Sequence, residues 1–266
     1  MKELFDKYQK IKKDLKYDYK AYPIENIMSI DIVSLVYDKK TFRLKEMTWL
    51  FMTQKVFIPT DKKVLFSIGP YRRKDYYELL DFVRSDIDGD LVDFSKIKRT
   101  FKFSLKNIFI SFKHTFTKKI DLPFKSKLSL FCSMTYILNI IDDLEKNKLS
   151  KNLEKFCSFC STHNYEAILD YYFQKNGVET YTLEHGLYFI MDSYPIDAIA
   201  YEHMPADKLL CWGQYTKDEF EKFGIPQDKI AVAGYPRDTK KLCARKVDTL
   251  KILVLFARVH YHENNL

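Results

Sequence analysis

From Glu154 to Pro236 the sequence alternates short β-branched and aromatic runs with helical stretches. That spacing suits a parallel sheet with crossover helices. Phe156–Ser161 reads as a strand and 164–175 as a helix. Val178–Leu183 reads as a strand ending in Glu184-His185-Gly186, and Lys208–Trp212 as a strand closing on Gly213. Thr216–Phe223 is helical and stops at Gly224, with Pro226 just beyond. A strand over 229–233 then runs into Gly234-Tyr235-Pro236-Arg237. Upstream, Lys63–Gly69 has the same form, a strand closing on Gly69-Pro70 before a helix over Lys74–Val83. The expected class is α/β, a Rossmann-like parallel sheet with flanking helices, whose loops face the carboxyl edge where ligands bind.

The N-terminal part is less regular. Leu4, Tyr8, Ile11, Leu15 and Tyr19 recur at helical spacing and give an amphipathic first helix. Ile30–Tyr37, rich in Ile and Val, is a strand candidate, and Asp86–Asp93 reads as an acidic loop. Across 101–120 a stripe of Phe101, Leu105, Ile108, Phe109, Phe112 and Phe116 is interleaved with Lys102, Lys106, Lys113, Lys118 and Lys119. Two readings stand: a basic helix lying on an anionic membrane surface, or a core-facing helix with solvated lysines. A helix over 126–148 reads as core, and its apolar stretch 128–141 is too short to span a bilayer.

Composition narrows the classes. Hydrophobic residues at 46% and aromatics at 16% exclude wholesale disorder. A net charge of +8 admits nucleic acid, anionic lipid or phosphorylated substrates as partners. No nucleic-acid docking motif accompanies the charge, so no nucleic acid is expected. Five cysteines follow an N-terminus without an apolar leader segment, which suggests reduced thiols and a cytoplasmic protein. Cys157-x-x-Cys160 falls on a strand without a second pair and reads as inert burial. His163 beside it does not complete a metal site by spacing, and no metal is expected.

The segments TLEHG (182–186), DKLLCWGQYTKDEFEKFGIPQDKIAVAGYPR (207–237) and KILVLFAR (251–258) carry a resemblance. Their order is similar to the join between the two halves of GT-B glycosyltransferases that build bacterial capsule, lipopolysaccharide or teichoic-acid chains. The resemblance covers about the last third of the chain, while the first 150 residues resemble no family. It implies an acceptor-side domain over 1–245, then a linker and the first strand of an incomplete donor-binding domain over 246–266. It also implies a nucleotide-activated sugar as donor, a lipid-linked glycan as acceptor, and no cofactor. The site would face the cytoplasm, and a companion chain could supply the donor domain. Peripheral contact with the inner membrane face through 101–120 follows only from the membrane reading of that stretch.

By the same resemblance His185 is the base that takes the proton from the acceptor hydroxyl, and Glu184 orients it or acts in its place. Gly186 leaves room for close backbone approach. Arg237, Arg258 and His260 are expected to meet the donor phosphates. The bland readings remain beside these: His185 capping its own loop, and Arg237 pairing with Asp238. Two alternatives stay open for the whole: a polyol-phosphate (CDP-glycerol-type) transferase, and a non-catalytic glycan- or membrane-binding module.

Overall fold

The computed structural model describes residues 2–56, 58, 60–71, 73–186 and 204–236. The chain opens with helix α1 (Lys2–Leu15), whose Tyr8, Ile11 and Leu15 are buried at helical spacing. A short antiparallel ribbon of β1 (Asp18–Tyr19) and β2 (Tyr22–Pro23) leads into α2 (Ile24–Ile27) and α3 (Ser29–Val36). The stretch expected as a strand, Ile30–Tyr37, is therefore helical. A short apolar run fits either element, and tertiary packing decides. Here Ile32, Val33, Leu35 and Val36 are all buried, and Asp31 accepts from Ser133 Oγ at 2.7 Å and from the Asn164 amide at 2.6 Å.

A 3-10 helix, Leu44–Phe51, precedes β3 (Met52–Gln54). Strand β4 (Val64–Ile68), helix α4 (Lys74–Arg84) and strand β5 (Gly89–Asp93) follow. The acidic loop expected over 86–93 is thus mostly an edge strand, parallel to β4. Gly89 permits the pairing: a Cβ there would lie 2.8 Å from the Phe66 ring and 2.9 Å from the Val64 carbonyl. Strand β6 (Arg99–Phe101) pairs antiparallel with β3, and α5 (Leu105–Phe112) continues as a π-turn, Lys113–Thr117. The single helix expected over 101–120 is accordingly a strand end and a capped helix, started by Ser104 Oγ accepting the Asn107 N–H.

Helix α6 (Phe124–Leu144) is buried along most of its length. Its polar groups are matched inside: Ser129 Oγ donates to Glu46 at 2.5 Å and Asn139 Nδ2 to the Met52 carbonyl at 3.0 Å. No helix among the described residues is long and apolar enough to cross a membrane. Then come β7 (Lys155–Ser158), α7 (Asn164–Lys175), β8 (Glu179–Leu183), β9 (Lys208–Cys211), α8 (Gln214–Phe223) and β10 (Ile230–Val232). Helix α8 ends as the sequence indicates: Gly224 takes a left-handed φ of 103°, and the Ile225 N–H closes back on the Phe220 carbonyl.

Six strands form one all-parallel sheet in the order β10-β9-β8-β7-β4-β5. Alternation along the strands separates its two faces. Leu65 and Phe156 join a core with α1, α3, α6 and α7, while Phe66 and Cys157 join a second core with Leu79 and Leu80 of α4. Helices on both faces of a parallel sheet make this a Rossmann-like α/β fold.

Candidate functional site

The winding reverses between β4 and β7. From β4 the chain passes to β5 on one side of the sheet, and it returns to β7 on the other. Loops leaving two such strands diverge and open a crevice at the carboxyl edge, the place where α/β sheets bind ligands. Gly69–Tyr71 follow β4 here, Phe159–His163 follow β7, and Glu184–Gly186 follow β8 next door.

Glu166, in the first turn of α7, ties this edge together. Its Oε1 accepts from Ser67 Oγ of β4 at 2.8 Å and from the Phe159 N–H at 2.8 Å, and Oε2 from the Tyr71 hydroxyl at 3.4 Å. The carboxyl is fully buried. Desolvation pushes its pKa up to about 7, against the opposing pull of these hydrogen bonds and of His185. Tyr71 lies close to the strand end because residue 69 has no side chain: a Cβ on Gly69 would be 2.9 Å from the Tyr71 ring and 3.2 Å from Glu166 Oε2.

His185 Nδ1 lies 3.3 Å from the Leu183 carbonyl. A hydrogen bond there assigns the proton to Nδ1 and the basic lone pair to Nε2. The ring packs at 5.4 Å from Tyr76, edge-on, and at 5.1 Å from Phe159. His163 stands edge-on to Tyr71 at 5.1 Å. The residue is partly exposed, yet burial of its ring and then the charge of His185 lower its pKa to about 4, so it is neutral near pH 7. The loop closing on His185 is half-buried, and a Cβ on Gly186 would meet no atom of the described residues within 4 Å.

Glu184 has a different position from its neighbour. Oε2 accepts the Trp212 N–H at 2.5 Å and Oε1 accepts Thr216 Oγ1 at 2.9 Å. The carboxylate, its pKa raised by burial, thereby ties the end of β8 to the start of α8. Arg73 stands exposed at the start of α4, its guanidinium 4.1 Å from the Tyr76 ring and bonded to Asp75. Arg237, Arg258 and His260 lie outside the described residues. Cys157 and Cys160 are buried free thiols whose pKa values burial raises, Cys160 to about 11, as inert residues require. No group of three or more His, Cys, Asp and Glu among the described residues is placed to hold a metal ion.

A cavity of about 610 Å³, lined by Lys55, Leu65, Arg84, Asp90 and Lys96 among others, borders β5 and shares none of the switch-point residues. Buried Asp93 and the unpartnered Nε of Arg84 also line it, but no histidine of the described residues does, and it opens to solvent beside the edge strand, away from the switch point.

Tyr71, Tyr76, His163 and Glu166 join His185 at this edge, although the TLEHG motif singles out only Glu184, His185 and Gly186 there. Two signals in the chain point to them: the Gly69-Pro70 turn that ends β4, and a carboxylate in the first turn of the helix after β7. The class defined by fold and edge is a Rossmann-like α/β protein with a histidine-containing, aromatic-lined carboxyl edge. Comparison of the chain with protein-family models, with curated proteins and with solved structures finds no match.

Proposed function

We propose that the chain is the acceptor-side half of a GT-B glycosyltransferase, with the carboxyl edge of β4, β7 and β8 as its acceptor site and His185 as its base. The observation that carries the reading is the position of His185: at the strand end beside the topological switch point, with aromatic rings around it. Tyrosine and phenylalanine rings offer flat apolar faces to the C–H face of a sugar, and neighbouring hydroxyl and imidazole groups orient its polar rim.

In this reading Nε2 of His185 takes the proton of one acceptor hydroxyl. The freed oxygen bonds to the anomeric carbon of the donor as the bond from that carbon to the nucleotide phosphate breaks. The phosphate leaves with the electron pair and is stabilised by cations. Arg73 is the cation of the described residues nearest this edge in sequence, and Arg237, Arg258 and His260 are the candidates beyond them. Neutral His163 adds no charge beside His185, and the Glu166 carboxyl, its pKa raised to about 7 by burial, is only partly ionised at neutral pH. The donor needs a second Rossmann-like unit, whether from further residues of the same polypeptide or from a companion chain.

The test is transfer of label from a panel of radiolabelled nucleotide sugars to envelope glycolipid, using the chain together with its donor-binding unit. Incorporation that depends on this chain supports the reading. If the panel of nucleotide sugars gives none and CDP-glycerol or CDP-ribitol labels the acceptor instead, the polyol-phosphate alternative replaces it.

A further inference from the structure

Helix α5 is built inside out. Its fully buried residues are Asn107 and Ser111, followed in the π-turn by Thr115, a polar row at helical spacing. Its outward face carries Leu105, Phe109 and Phe112. Asn107 anchors the row: its amide donates to Asn139 Oδ1 and Asp142 Oδ2, both at 2.9 Å, and its oxygen accepts from the Tyr19 hydroxyl at 3.0 Å, while Thr115 Oγ1 closes back on the Ser111 carbonyl. The helix is thus held by hydrogen bonds in an orientation that turns its apolar stripe to solvent, the reverse of the usual amphipathic arrangement.

Neighbouring elements extend that stripe. Phe51, ending the 3-10 helix that also exposes Leu44 and Met47, stacks on Phe103 at 5.8 Å, and the Lys102 N–H bonds to the Phe51 carbonyl. Phe101 is exposed at the end of β6. On the other side Phe112 stacks on Phe116 at 5.1 Å, and Phe116 meets exposed Phe124 at 5.9 Å. Among the described residues, nine of the fourteen exposed large hydrophobic side chains lie on these elements, at 37% to 81% exposure. Scattered apolar residues on a surface need no explanation, but a connected group of this size marks an interaction face.

Charge selects the partner. Residues 39–55 and 95–127 together carry fifteen Lys and Arg against Glu46 and Asp121, a net +13. The rest of the chain holds 29 basic against 34 acidic residues, a net −5, so the basicity of the protein belongs to this region. Lys45, Lys113, Lys119 and Lys125 are exposed and form no ion pair among the described residues. A second copy of the chain would bring +13 against +13. Single-stranded nucleic acid could stack on the phenylalanines but gives Leu44, Met47 and Leu105 nothing to enter. An anionic bilayer offers both components, hydrocarbon for the phenylalanine and aliphatic side chains and lipid phosphates for the lysines.

We propose that the face formed by residues 44–51, 101–112 and 124 docks on an anionic membrane surface, with its aromatic side chains entering the headgroup boundary and its lysines contacting lipid phosphate. It belongs to elements outside the six-stranded sheet and does not depend on the chemistry assigned to the carboxyl edge.

The experiment is sedimentation of the purified chain with phosphatidylcholine vesicles, with and without phosphatidylglycerol, at low and high salt. Binding should require phosphatidylglycerol and weaken with salt. Phe101→Ser/Phe109→Ser and Lys113→Glu/Lys119→Glu should each lower partitioning on the order of tenfold, with an unchanged urea midpoint. Failure of the wild type to bind anionic vesicles overturns the proposal, as does undiminished binding by both folded variants. It is also overturned if light scattering shows a dimer that the phenylalanine variant dissociates, or if an oligonucleotide binds this face while vesicles do not.

Discussion

Helices α5 and α7 both bury polar side chains, and they do so to opposite ends. In α7, Glu166 and Asp170 are buried against the strands. Glu166 holds the ends of β4 and β7, and Asp170 accepts from Ser158 Oγ at 3.1 Å within β7. Burial raises the pKa of both carboxyls. In α5, Asn107 is neutral and spends its amide on three neighbours, and the effect is to fix which way phenylalanines point. Buried polarity fixes the strand ends in one helix and aims a surface in the other. A polar residue inside a helix therefore says little until its partners are known.

That contrast can be broken by mutation. The largest effect is expected from Asn107→Ala, which takes the amide donor from buried Asn139 Oδ1 and from Asp142 Oδ2, while Tyr19 keeps its bond to Asp142 Oδ1. It should cost about 3 kcal/mol in urea unfolding; a loss no larger than for an exposed residue would mean that the polar row does not anchor α5. Next comes Glu166. Folding raises its pKa from 4.5 to about 7, so the native state holds the proton more tightly than the unfolded chain. The resulting stabilisation is complete below pH about 4.5 and is lost as pH rises to about 7. Glu166→Gln lacks this loss, so its stability relative to wild type should improve across that window by on the order of 3 kcal/mol. Parallel pH profiles for the two proteins would show that Glu166 titrates normally.

Gly69→Ala should cost about 1–2 kcal/mol, because the new methyl forces Tyr71 aside while Glu166 is held by hydrogen bonds. An unchanged melting midpoint would deny Tyr71 its close seat on the strand end. The smallest effect belongs to Phe109→Ser: the ring is mostly exposed, and stability should stay within about 0.5 kcal/mol of wild type. A large loss would place that ring in the core and remove the difference between the two helices.

The parallel sheet was legible because β4, β7, β8 and β9 each run from an apolar strand into a Gly or polar break and then a turn, and because Gly224 and Pro226 mark the end of α8. The apolar periodicity of 101–120 was legible too, but not its direction. A stripe of Phe looks the same whether it faces the core or solvent, and only the partners of Asn107, more than thirty residues away in α6 and near α1, decide it. Ile30–Tyr37 misled for a related reason, since its β-branched residues are buried among helices rather than strands. At the edge, His185 and Gly186 stood out as a motif at a strand end. Glu166 and Tyr71 did not, because their meeting depends on the pairing of β4 with β7 across ninety residues.

The most direct measurement is the turnover of His185→Ala and His185→Gln in the chain reconstituted with a donor-binding unit, beside the affinity of each for acceptor. If His185 is the base, kcat falls on the order of 10²–10⁴-fold in both while acceptor affinity changes little. Near-normal kcat in either variant would contradict the account and leave His185 as a cap on its own loop.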